Sequence, residues 1–281
     1  MTMATHRRTP AASIRVGIEA VREFWDVNVC GSTSASAPRY TREYYEQIEQ
    51  YRYEAEPEIF SFAQFTRYYG KMLLEVGVGS GTDFLQWVRA GARAYGVDLT
   101  PEAIEHVRHR LAIYNLRAEE TRTASCESLP YDEATFDIVY GWGVLHHTPN
   151  TQKAIEEIVR VTRLGGTCRL MLYHRRSLVA LYVWIKFALL RLRPWKSVRQ
   201  CFYDDVESPG TKAFTAPEVR RLLRQLPVHN IRIQFILTQQ DKLMAHNAIC
   251  RFIGGALAVL LGSRGGFYMT VAFDKLPASR S

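Results

Sequence analysis

The stretch MLLEVGVGSG, residues 72–81, carries more information than any other in this 281-residue chain. Met72 to Val76 is a short apolar run holding one acid, the pattern of a strand buried in a parallel sheet. Gly77, Gly79 and Gly81 follow at alternate positions. Glycines so placed let the backbone take positive φ and let a ligand lie directly against it. A helical pattern then runs from Thr82 to Arg89. Strand, glycine loop and helix in that order make the nucleotide-binding unit of an open α/β sheet. A dinucleotide fingerprint reads G-x-G-x-x-G and sets a pyrophosphate on the helix N-terminus. Here the spacing is G-x-G-x-G, with Glu75 two residues before the first glycine. A carboxylate there repels a diphosphate and suits an ammonium group.

Working outward, AYGVD ends a second apolar run at Asp98, seventeen residues after Gly81. An acid at the end of that strand is placed to chelate a ribose diol. An ammonium, a ribose and no phosphate describe S-adenosylmethionine better than NAD, which disfavours nicotinamide chemistry. The segments LEVGVGSGT and GVDLT resemble motif I and the second-strand acid of class I S-adenosylmethionine-dependent methyltransferases. CESLPYDEATFDIVYGWGVLHHTPN, residues 126–150, resembles the middle region of the same family. The resemblance implies a doubly wound, mostly parallel seven-stranded α/β sheet of Rossmann-like methyltransferase type, its last strand inserted antiparallel. It also implies an N-terminal helical lid over cofactor and substrate.

For the cofactor, S-adenosyl-L-methionine, the resemblance assigns Glu75, Gly77, Gly79 and Gly81 to the methionine end. Asp98 goes to the ribose, Leu99, Cys126 and Glu127 to the adenine, and Trp142 lies in the stretch beneath the sulfonium. Many relatives carry an acid where Ser125 stands, so adenine reading passes to the Ser125 hydroxyl or to Cys126 and Glu127. Relatives usually read Pro-Gly-Gly where this chain has Leu164-Gly165-Gly166.

Composition bounds the rest. The chain holds one large domain, or a domain with an appendage. It has no uncharged apolar run of about 18 residues, so no membrane span is expected. Five scattered cysteines without a C-x-x-C pair fit reduced thiols and a cytoplasmic location, and argue against disulfides and zinc. The net charge of +8 is uneven: residues 158–203 contain no acid. Such a field attracts nucleic acid, anionic lipid or an acidic substrate, or is simply a solvated basic face.

Along the chain, residues 1–12 read as a disordered tail and 13–70 as the helical lid, with the cofactor-binding domain over 71–281. The lid comprises a helix over 13–29, a tyrosine-rich helix over 40–53 and a further helical piece before the first strand. Tyr45 and Tyr53 are candidates for substrate contact; packing between helices is the competing account of them. Thr100, Pro101 and Glu102 make a strong helix start. His106 and His109 lack a second pair of ligands, so no metal is expected. The helix from Thr151 is stopped by Gly165-Gly166, after which TCRLMLYH is the fifth strand. Residues 177–192 are apolar on nearly all sides with Lys186 inside. They form either a cap helix, within a cap spanning 177–200, or a helix lying in a membrane interface. A second apolar helix is expected over 243–262, between strands over 229–238 and 266–275.

Methyl transfer from a sulfonium needs alignment above all, and a general base where the acceptor is a hydroxyl or a protonated amine. His146 and His147, beyond the fourth strand, are the candidates for that base. In many relatives the doublet accompanies unlike substrates, which favours a structural role. Tyr173 and His174 are further acceptor-side candidates. The favoured function is methyl transfer to a small lipophilic molecule. An RNA methyltransferase using the basic segment, and a non-catalytic membrane-surface protein, remain as alternatives; no nucleic-acid partner is expected, because no RNA-binding module is evident. The acceptor atom and the oligomeric state are not encoded in any motif.

Overall fold

The computed structural model describes residues 16–238, Asp241 and 262–277. The expected N-terminal tail and most of the apolar helix at 243–262 lie outside the described residues. The chain opens with α1 (Ile18–Val27), α2 (Arg42–Ala55) and α3 (Glu58–Ala63). Strand β1 (Met72–Val76), α4 (Thr82–Arg89), β2 (Arg93–Asp98), α5 (Pro101–Ile113), β3 (Glu120–Thr123) and β4 (Phe136–Trp142) follow. Next come α6 (Thr151–Val161), β5 (Thr162–Tyr173), α7 (Leu178–Trp184), α8 (Val198–Asp205), α9 (Ala216–Leu223), β6 (Val228–Ile236) and β7 (Tyr268–Lys275).

The strands form one seven-stranded sheet in the order β3-β2-β1-β4-β5-β7-β6. The first five pair in parallel, and β7 is antiparallel to both neighbours. Strand order reverses between β1 and β4, so the loops leaving them open a crevice at the carboxyl edge, where ligands of such sheets bind.

The two-residue period of β1 sorts its side chains by face. Leu73 enters one buried cluster with Trp87, Ile104, Val107 and Tyr140, while Leu74 and Val76 enter the other with Val139, Ile155 and Ile158. Helix starts are fixed locally. Thr100 Oγ1 accepts from Ala103 N at 3.2 Å, Asn150 Oδ1 from Lys153 N at 3.1 Å, and Thr215 pairs with Glu218 as a capping box.

Two expectations shift. The glycine pair does not separate α6 from the fifth strand, because β5 begins at Thr162 and Phe136 already pairs with it. Residues 163–166 instead form a bulge before pairing resumes at Thr167. A Cβ at Gly166 would lie 2.9 Å from the Asp137 carbonyl oxygen, so only glycine lets the bulge press against β4. The single apolar helix expected at 177–192 is also broken: α7 passes into a π-helical turn at Ile185–Leu189 before the chain reverses toward α8.

Candidate functional site

The glycine loop takes the shape its composition requires. Gly77, Gly79 and Gly81 have φ of +75°, +52° and +77°. A Cβ on Gly77 would stand 2.2 Å from Val144 Cγ2, which shows how closely the loops after β1 and β4 approach across the crevice. Gly77 N donates to Val97 O at 2.7 Å, and Gly79 N donates to Asp98 Oδ2 at 3.0 Å. The other Asp98 oxygen accepts from Thr100 N and Oγ1. These bonds aim the carboxylate along the loop; burial raises its pKa while they pull it down.

Glu75 is the unusual member. It is buried at the end of β1, and its Oε2 has no hydrogen-bond partner among the described residues. Trp87 Nε1 beside it is likewise unpartnered. Burial, reinforced by Asp83, holds the Glu75 carboxyl well above the ordinary carboxylate range, against the pull of Arg52. A buried acid without a donor costs stability unless a ligand supplies one. The charge set here is acidic, with Glu75, Asp83 and Asp98 against Arg52. A loop that leaves no room for Cβ atoms, an acid lacking a donor and a second acid at the next strand end fit a ligand with an ammonium, a diol and net positive charge.

The N-terminal helices close over this edge through a network that no motif announced. Arg52 bridges Asp83 at 2.9 Å and Glu56 at 3.2 Å. Tyr53 and Tyr140 hydroxyls donate to Asp83 at 3.2 and 3.0 Å. Trp142 Nε1 and Tyr268 OH donate to Glu56 at 2.8 and 2.7 Å. Cys30 reaches down from the loop after α1; its Cβ lies 3.2 Å from where a Gly79 Cβ would stand.

Beyond β4 the structure brings His146, His147, Tyr173 and Glu207 together. His147 Nδ1 is bonded to Ser208 Oγ at 2.8 Å and lies 3.1 Å from Thr211 Oγ1; its Nε2 lies 3.3 Å from Glu207. Burial drives its pKa down to about 3. His146 is fully buried, stacks on Tyr173 at 3.7 Å and has no partner for either ring nitrogen among the described residues; burial holds its pKa well below the usual range. Desolvation thus lowers the basicity of both rings. Glu207 faces this pair, 3.3 Å from His147 Nε2. Tyr173 OH donates to both its oxygens at 3.2 and 3.0 Å, and its backbone sits at φ +51°, a strained conformation for a non-glycine residue. Burial brings its carboxyl up to about 7.

The Glu207 segment is strapped in place. Lys212 N donates to His146 O at 2.8 Å, and Phe214 N donates to Tyr173 O at 2.8 Å. One donor atom each from His146, His147 and Glu207 falls within 4.8 Å of the others, a grouping of metal-binding residue types that the sequence did not suggest.

Other expected site residues sit elsewhere. Tyr45 is buried between α2 and α5, its hydroxyl donating to His106 O at 2.9 Å and its ring facing Arg110. His174 packs on Phe235, with Nδ1 3.1 Å from Gly266 O. Both are buried and packed against neighbouring elements. Glu127 directs Oε1 to Thr148 Oγ1 and Asn150 N, tying the loop after β3 to the loop after β4. Ser125 Oγ accepts from Glu127 N at 3.1 Å. Cys126 is buried beside them, and Leu99 is half-buried next to Asp98. A separate cleft of about 230 Å³, lined by Arg67, Arg169 and Arg232 among others, contains none of these residues.

Residues 74–170 match the family model described as a methyltransferase domain. The chain is 35% identical over 98 residues to an uncharacterized protein of Mycobacterium tuberculosis, covering 35% of each chain. It is 34% identical over 99 residues to the phthiotriol/phenolphthiotriol dimycocerosates methyltransferase of Mycobacterium leprae, covering 34% of this chain and 36% of that one. The matched region thus spans about a third of the length of these curated relatives. By fold, the chain is similar to the methyltransferase solved in complex with the Haloferax volcanii Trm112 activator, with a TM-score of 0.60 at 16% identity, over 93% of this chain and 99% of that one.

Proposed function

We propose that this chain, a member of the class I S-adenosylmethionine-dependent methyltransferase family, transfers the cofactor's methyl group to a small lipophilic acceptor in the cytoplasm. The unpartnered Glu75 Oε2 beside the glycine loop carries the cofactor half of this reading. Glu75 and the backbone of Gly77–Gly81 would hold the methionine end, Asp98 the ribose, and Leu99, Cys126 and the loop after β3 the adenine. The bound cofactor supplies a methyl group already activated by its sulfonium, so the protein need only align the acceptor and receive a proton.

Trp142, Tyr173, Tyr268 and Phe267 give the acceptor side an aromatic lining, and Glu207 takes the acceptor's proton, with Tyr173 and His147 holding its carboxylate. His147 acts as a positioning residue. The M. leprae relative is named for a lipid substrate, which supports the lipophilic acceptor. The test is transfer of labelled methyl from S-adenosylmethionine into a lipid extract, with mass spectrometry of the product. With S-adenosylmethionine held well below the variant's Kd, labelled product with wild type and none detectable with Asp98→Ala is expected. Retained label with Asp98→Ala, or cofactor binding without any labelled product, overturns the proposal.

A further inference from the structure

We propose that the turn between α7 and α8 is a membrane-docking tip that seats on an anionic lipid bilayer. The inference stands apart from methyl transfer, since it requires neither cofactor nor acceptor. Among the described residues, eleven large apolar side chains are exposed, and five of them fall between Leu181 and Trp195. Leu190, Leu192 and Trp195 are 74%, 82% and 79% exposed, more open than most isolated surface leucines need be.

These side chains are not outward because the segment lacks a core. Helix α7 already buries Val179, Ala180 and Val183, and the turn after it buries Phe187 and Ala188, against Tyr173 and Phe202. The outer apolar set is additional to that face. Nor is the tip loosely held. Trp184 Nε1 donates to Lys196 O at 2.9 Å, Arg193 N to Ala188 O at 2.8 Å, and Leu192 N to Leu189 O at 3.0 Å. Arg191 pairs with Asp205 and Lys196 with Asp204, clamping the turn to α8. Leu192 is held at φ +55°, a backbone conformation unfavourable for leucine, while its side chain points to solvent.

Charge selects the occupant. Arg176, Lys186, Arg193 and Arg199 have no acidic partner among the described residues, and the sequence has no acid between residues 158 and 203. Apolar side chains with a tryptophan, accompanied along the segment by cations without an acidic partner, match the boundary between acyl chains and anionic headgroups. No helix among the described residues is long and apolar enough to cross a membrane, so the contact proposed is peripheral.

The test is sedimentation of the full chain with vesicles of phosphatidylcholine alone or with phosphatidylglycerol added. Wild type should pellet with the anionic vesicles and less with the neutral ones, and high salt should reduce binding. Leu190→Ser, Leu192→Ser and Trp195→Ser combined should lower partitioning by at least ~10-fold. Arg193→Glu with Arg199→Glu should lose on the order of tenfold on anionic vesicles alone. Circular dichroism and calorimetry with S-adenosylmethionine, both unchanged in these variants, would show that fold and crevice are intact. Wild type remaining in the supernatant with both vesicles overturns the proposal. So does light scattering that shows a dimer lost in the triple variant, because the tip would then be seating a second copy of the chain.

Discussion

The two ends of the crevice differ in how they are built. The proposed cofactor end comes from neighbouring residues: Glu75, the three glycines and Asp98 fall within 24 positions, on two adjacent parallel strands and the loop after the first. The acceptor end is assembled from afar. Glu56 meets Tyr268 across 212 positions, and His147 meets Ser208 across 61. The first is backbone geometry with few substitutes, and the second is a set of side chains on elements that pack independently. A short motif can specify the first, whereas only the folded chain specifies the second.

The largest expected effect tests the cofactor end. Gly77→Arg places a side chain where even a Cβ meets Val144, at a φ that only glycine tolerates well, and should abolish measurable S-adenosylmethionine binding in calorimetry. Asp98→Ala should weaken binding by about 10- to 100-fold through loss of a charged hydrogen-bond acceptor. Unchanged affinity in both would erase the contrast between the two ends.

Glu207→Gln should do the reverse, leaving cofactor affinity within about twofold and cutting turnover by about 100-fold, the scale of general base catalysis. Turnover in wild type should rise as pH passes about 7 and Glu207 ionises, and the variant should be flat over that range. A loss of turnover on dialysis against a chelator, restored by zinc, would instead make the His146–His147–Glu207 group a metal centre; no loss is expected.

Glu75 gives a subtler pH signature. Its carboxyl is raised in the folded state, so the neutral form stabilises the fold at low pH and that contribution is lost as pH rises through the raised value. A cofactor ammonium favours the ionised form. S-adenosylmethionine affinity should therefore strengthen with rising pH in wild type, and Glu75→Gln should flatten that dependence. The smallest effect lies outside both ends. Tyr45→Phe removes a hydroxyl bonded to His106 O and should cost about 1 kcal/mol in denaturant unfolding, with no change in cofactor affinity.

The legibility of the sequence follows the same division. The strands and the helix caps were readable because periodicity and caps act over a few residues, as at Thr100, whereas the antiparallel last strand followed from the family resemblance. The bulge at 163–166 was not, since glycine pairs stop helices more often than they bulge strands. The histidine doublet drew notice as the residue type suited to a base, yet burial removes most of its basicity. Glu207 drew none: the stretch VESPG around it has no periodicity, and its chemistry arises from Tyr173, 34 positions away. Tyr45 and Tyr53 looked alike in sequence; helical spacing turns one toward α5 and the other toward Asp83.

The strap from Val206 to Thr215 is fastened by backbone bonds at its end, Lys212 N to His146 O and Phe214 N to Tyr173 O, and by the side chains of His147 and Tyr173 at Glu207, Ser208 and Thr211. Main-chain fastenings are indifferent to most side chains, so the positions other than Glu207, Ser208 and Thr211 can change while the strap stays in place. A new acceptor preference can then arise by exchanging those residues, while the half of the crevice that holds the methyl donor is inherited intact.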